Sequence, residues 1–209
     1  MSKFTKSWEE PKTGIRSLIK PGVPLRQKIE LAARRVEAQI QYLNGAIHLL
    51  TERDKALFQK VVDAYSKHDM QRASVYANEL AEIRKMTNFI MNSELALERV
   101  ALRLRTVTQL GNVAAALAPV SKILQSIRVG VAGIFPGAER EMSEISMLLD
   151  EIVIEASQTT GISPDFEVAS EEAQKILNEA AMVAEQRMKE KFPELPTLKA
   201  TSEELGEIK

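Results

Sequence analysis

From Leu25 onward the apolar residues recur in alternating steps of four and three: Ile29, Ala33, Val36, Ile40, Leu43, Ile47 and Leu50, a polar break at Asp54, then Leu57, Val61 and Ala64. This is the heptad seam of a helix that packs lengthwise against another helix. About 40 residues at 1.5 Å rise make a helix ~60 Å long, too long to be buried inside a compact domain of this size. The residues Ser66, Lys67, His68 and Asp69 read as a turn, with Asp69 or Ser66 able to cap the next helix. A second seam then runs through Ala73, Tyr76, Leu80, Ile83, Thr87, Ile90, Glu94, Leu97, Ala101 and Leu104. Two helices of similar length joined by a short turn form an antiparallel αα-hairpin, expected over about residues 25–110.

The pattern changes after the hairpin. The second helix is expected to persist past Leu110 and to weaken at Gly111. Pro119 then introduces a stripe of Val120, Ile123, Leu124 and Ile127, read as a short third helix or a kinked continuation. Gly130, Gly133, Pro136 and Gly137 form a breaker cluster, a hinge or a simple loop. A fourth helix from about Ala138 to Ser157 places Met142, Ile145, Leu149, Ile152 and Ala156 on one face, so the shorter helices occupy about residues 119–157. After TTGISPD, Ser170 with Glu171 and Glu172 makes a helix start whose acidic first turn suits the helix dipole, with Ile176, Leu177, Ala180, Val183, Ala184 and Met188 as its stripe. The segment FPELPTLK ends the helical part in an extended, proline-fixed form. The expected fold class is all-α: a long antiparallel hairpin followed by two or three shorter helices.

The first 22 residues stand apart. Pro11, Gly14, Pro21 and Gly22, with Pro24 beyond them, prevent them from joining the long helix. Phe4, Trp8, Ile15, Leu18 and Ile19 alternate with Lys3, Lys6, Lys12, Arg16 and Lys20, a mixture that suits an anionic membrane surface. The division expected is therefore a basic membrane-contacting arm (1–22), a helical core (23–158) and an acidic regulatory tail (159–209).

Charge sharpens that division. The formal net charge is −1, yet residues 1–35 hold nine Lys or Arg against three Glu, whereas residues 139–209 hold seven against seventeen Asp or Glu. The basic head can meet an anionic partner, and the acidic tail can screen it or meet the basic region of a neighbouring subunit. Ala, Leu, Ile, Met, Glu, Lys, Arg and Gln dominate and aromatics make up 5%, which favours long helices. The stretch from Thr106 to Ser121 is the longest without a charge and is too short to span a bilayer. The N-terminus lacks the apolar core of a secretory signal, so the chain is expected in the cytoplasm, peripheral on the inner face of the plasma membrane.

Candidate chemistry is sparse. With no cysteine, thiolate metal sites and cysteine nucleophiles are excluded. His48 and His68 are the two histidines; the first reads as a packed or snorkelling residue beside the seam and the second as a turn residue. No HExxH, EF-hand or GxxxxGK[ST] spacing occurs, and GVAGIFPG lacks the strand context of a nucleotide loop. No catalytic residue, cofactor or metal is assigned, and the chain is read as non-enzymatic.

The basic arm, the two long helices around SKHDMQRASVYANELAEIRKM, the shorter helices and the acidic tail together resemble the ESCRT-III family over nearly the whole chain. Ala73, Tyr76, Ala77, Glu79, Leu80, Ile83, Arg84 and Lys85 carry the most specific part of the likeness, which is to the archaeal CdvB paralogues. There is no room for the complete winged helix of the largest of them, so a shorter paralogue is expected. The resemblance implies a membrane-remodelling filament that polymerises with itself and with other paralogues, constricts a neck in cell division, scission or vesicle release, and is disassembled by an AAA+ ATPase. It also implies that Pro193, Leu195, Pro196 and Leu198 enter a groove of that ATPase's MIT domain; the charge and aromatic pattern of the arm assigns membrane contact to Phe4, Trp8, Arg16, Leu18, Ile19 and Lys20. Two other readings remain at this point: a membrane-stress scaffold similar to phage shock protein A, and a nucleic-acid-binding coiled coil using the basic head. The overall acidic balance and the lack of a recognition motif oppose the second, and no nucleic-acid partner is expected.

Overall fold

A computed structural model of the chain describes residues 23–107 and 112–193. Every element among them is a helix: α1 (Leu25–Ser66), α2 (Met70–Thr106), α3 (Val113–Val131), α4 (Pro136–Thr160) and α5 (Phe166–Lys191).

Helices α1 and α2, of 42 and 37 residues, form the hairpin that the two seams require. Every seam position of α1 from Ile29 to Ala64 is buried, Asp54 included, and so is every one of α2 except the half-buried Tyr76. Each fully buried Leu or Ile on such a seam contributes about 1.5–3 kcal/mol relative to exposure, which is why a pair this long holds without a globular core around it. The tip is tight. Asp69 caps α2 by accepting from the Arg72 N–H at 3.1 Å, and His68 carries the reversal at a left-handed φ of 58°. His48, read as packed or snorkelling beside the seam, lies exposed on α1.

Three boundaries differ from those the sequence pattern predicts, two of them because a side chain caps a helix start. Helix α2 ends at Thr106, earlier than expected. Helix α3 starts at Val113, because the Asn112 side chain accepts from the Ala115 N–H at 3.1 Å and caps it there. Pro119 thus lies inside the helix, where it forfeits the bond to the carbonyl of Ala115; burial of Leu117, Val120, Ile123 and Leu124 carries the helix through. Helix α5 begins at Phe166, not Ser170, since Asp165 accepts from the N–H groups of Glu167 and Val168 at 2.9 and 3.2 Å.

The breaker cluster is a tight turn. The Phe135 N–H donates to the Val131 carbonyl at 2.8 Å, Pro136 opens α4 at its first turn, and α3 and α4 make a second, shorter antiparallel hairpin. Gly130 sits within α3 and receives the Phe89 ring of α2: a Cβ there would lie 1.8 Å from Phe89 Cζ. This glycine therefore serves close approach of two helices, not a bend. Met142, Ile145, Leu149, Ile152 and Ala156 of α4 are all buried. Helix α5 lies along α2, with Ala180 and Ala184 buried and Val183, expected in its stripe, exposed.

Candidate functional site: charged joints that hold the C-terminal helices on the hairpin

An apolar seam tolerates a carboxylate only if something inside the fold pairs with it. Asp54 and Glu94 pose that problem, one on each long helix, and the structure answers it differently at each.

Asp54 is 1% exposed. Arg84, across the hairpin, grips it with two nitrogens: Nε donates to Oδ2 at 2.6 Å and Nη2 to Oδ1 at 3.3 Å. The guanidinium lies over two rings, its carbon 5.9 Å from the centroid of Phe58 and 5.6 Å from that of Phe192. Its remaining edge is used as well, since Nη1 donates to the Pro193 carbonyl at 2.7 Å. Phe192 is buried there, immediately beyond the end of α5. One arginine therefore ties α1, α2 and the segment leaving α5 into a single joint.

Glu94 is 4% exposed and less well served. Asn44 of α1 donates to Oε1 at a long 3.4 Å, and Arg187 of α5 approaches Oε2 at 3.5 Å without forming a hydrogen bond. Burial pushes its carboxyl above the usual carboxylate range, as does the charge of Glu98, with Arg187 and Asn44 opposing.

Further ion pairs fasten the acidic helices to the basic hairpin. Lys28 of α1 donates to Glu151 at 2.5 Å and to Glu155 at 2.9 Å, both on α4. Burial alone would lower the Lys28 pKa, but its hydrogen bonds to these carboxylates, aided by their charge, outweigh it and raise the value. Arg35 meets Glu144 at 3.1 Å, and Arg103 of α2 meets Glu172 of α5. These contacts set the direction of each helix: α4 runs antiparallel to α1, and α5 runs along α2 toward the hairpin tip.

Of the residues marked for MIT binding, Pro193 is at the Arg84 joint, whereas Leu195, Pro196 and Leu198 lie outside the described residues. The membrane-contact set of Phe4, Trp8, Arg16, Leu18, Ile19 and Lys20 also lies outside them. Sequence reasoning identifies Asp54 as a break in the seam but does not name Arg84, Arg187 or Lys28 as the cations of these joints. The available signal is the carboxylates themselves, since a charge at a seam position calls for a buried partner. Among the described residues no group of three His, Asp or Glu is placed to hold a metal, and no helix is long and apolar enough to cross a membrane.

The chain is 44% identical over 181 residues to cell division protein B1 of Sulfolobus acidocaldarius, covering 87% of this chain and 85% of that protein. The chain belongs to the CdvB family of ESCRT-III proteins. A second CdvB-family relative, cell division protein B of the same organism, is 37% identical over 174 residues, 83% of this chain and 67% of that one. No protein-family model matches the chain, and no solved structure matches it. The CdvB relatives are named for cell division, and a division role for this member is the coarse functional statement they support.

Proposed function

We propose that this protein is a filament subunit that polymerises on the inner face of the membrane at the division site, alone and with paralogues, and helps to constrict the neck. The observation that carries the reading is the match to a cell division protein over 87% of the chain, in a molecule whose dominant element is a hairpin built on a helix of 42 residues. Such a hairpin presents long lateral faces, the geometry that side-by-side assembly uses. Its part is structural, with no catalytic step assigned to any residue.

The arm of residues 1–22 is the membrane anchor. Phe4, Trp8, Leu18 and Ile19 enter the headgroup layer while Arg16, Lys20 and the other basic residues attract anionic lipid, at about 1 kcal/mol per basic residue near the surface. Weak anchoring per subunit accumulates along a polymer. The tail is the handle for disassembly: Pro193, Leu195, Pro196 and Leu198 bind the MIT domain of an AAA+ ATPase as an extended segment. The folded-back position of α4 and α5 is the resting form, and their release frees the hairpin faces for neighbours.

Co-sedimentation with anionic vesicles tests the anchor. The full chain pellets with lipid and loses most of that binding without residues 1–22; equal pelleting of both forms would contradict the assignment. Pull-down with an isolated MIT domain tests the handle, with capture expected for the intact tail and lost in Leu195→Asp with Leu198→Asp.

A further inference from the structure

Between α3 and α4 runs a groove enclosing about 320 Å³, bordered by Ser121 and Lys122 of α3, Ser146 and Asp150 of α4, and the first residue of α5, Phe166. Its edge is unusually apolar for a surface lined with hydroxyls. Phe166 is 61% exposed and Met147 is 62% exposed, and Ile154, one heptad beyond Met147, is also exposed. At 100° per residue the stripe of Met147 and Ile154 lies between two faces of α4. One bears Glu144 and Glu151 and meets Arg35 and Lys28 of α1; the other bears Asp150 and Ser143 and forms the groove wall.

We propose that residues 1–22 of the same chain fill this groove in the free subunit, with Trp8 laid over Met147 and Phe166. Four observations specify the occupant. The first is its point of departure: α4 runs antiparallel to α1, and Lys28 bonds Glu151 and Glu155, so the arm leaves Val23 beside the C-terminal end of α4. The exposed Met147 and Ile154 stand on the way from there to the groove. Reach is the second, because 22 residues span ~33 Å as helix and up to ~70 Å extended, whereas the wall from Val153 to Ser143 is ~15 Å long. The third is charge. On the α4 side Asp150 lines the groove, and Asp165 and Glu167 flank Phe166, against Lys3, Lys6, Lys12, Arg16 and Lys20 in the arm. The α3 edge has the opposite sign, with Lys122 and Arg128, and the arm carries Glu9 and Glu10 directly after Trp8. The fourth is apolar content, since the arm brings Phe4, Trp8 and Ile15 to a rim that nothing else among the described residues covers.

The docking goes beyond the membrane reading and is tested without lipid; where both hold, the groove withholds the anchor until a membrane competes for it. Trp8 is the single tryptophan of the chain, which makes its fluorescence a direct reporter. In dilute full-length protein without vesicles, docking gives a blue-shifted emission and weak quenching by acrylamide. Met147→Lys combined with Phe166→Ser, both at exposed positions, should shift the emission to the red and raise quenching several-fold at unchanged helicity. Leu49→Lys, an equally exposed change on α1, should leave both readings as they were. An indole as accessible in the unmodified chain as in the groove variant would overturn the proposal. So would shielding that disappears on further dilution, because a second copy would then be its source.

Discussion

The two charged breaks in the seam are chemically alike and structurally opposite. Asp54 is held by a two-point arginine contact whose third nitrogen is also bonded and whose guanidinium has two aromatic rings beside it, so its joint is finished. Glu94 has one long hydrogen bond and one loose cation, with an oxygen that accepts nothing. Both joints hold the C-terminal segment, but the first does so through a complete network and the second through an incomplete one. The C-terminal segment is therefore locked in one place and yielding in another: the segment after α5 is clasped tightly at Phe192 and Pro193, while α5 at Arg187 rests on a half-satisfied carboxylate.

Breaking the locked joint should have the largest effect. Asp54→Ala leaves the half-buried Arg84 without its carboxylate and should cost about 3 kcal/mol, read as a fall in the urea midpoint. Replacing the pair together, by Asp54→Leu with Arg84→Met, should recover most of that loss. If the double variant is as unstable as the single one, the pair contributes net stability and is more than a mutually satisfied cost.

The stretch of α2 between the joints is tested next. Gly130→Ala drives a methyl group into the Phe89 ring and should cost about 1–3 kcal/mol; adding Phe89→Leu should return part of it. Thermal unfolding of the three variants measures this, and an unaffected Gly130→Ala would mean that α3 shifts freely on the hairpin.

The loose joint predicts a pH effect instead of a large loss. Because burial raises the Glu94 pKa in the fold, the folded chain binds that proton more tightly than the unfolded one. Stability therefore falls as pH rises from the ordinary carboxylate range through the raised value and stays lower above it. Glu94→Gln should remove this component and change stability at neutral pH by less than about 1 kcal/mol. Urea midpoints across that pH range for both proteins decide it, and an identical pH dependence would show that Glu94 does not titrate there. The smallest expected effect is His68→Gly at the tip, which relieves a left-handed residue but adds a glycine's chain entropy, and should stabilise by about 0.5 kcal/mol without altering either joint.

Much of the fold is legible because heptad spacing reports burial directly: Ile29 to Ala64 on α1 and Met142 to Ala156 on α4 lie where their period puts them. What the pattern hides is long-range pairing. Nothing near Arg84 in the chain says that Pro193, 109 residues away, takes its last donor. The helix starts at Val113 and Phe166 escape the pattern because each depends on one side chain, Asn112 or Asp165, turning back onto the backbone. Gly130 reads as a breaker because a glycine that admits a ring from another helix looks the same in sequence as one that permits a bend.

The most direct test of the proposed role is negative-stain microscopy of the purified protein with anionic vesicles, with and without residues 1–22. The account predicts filaments, rings or coated tubules that form on the vesicles and require the arm. Dispersed protein beside smooth vesicles, at concentrations where the chain is folded, would contradict it.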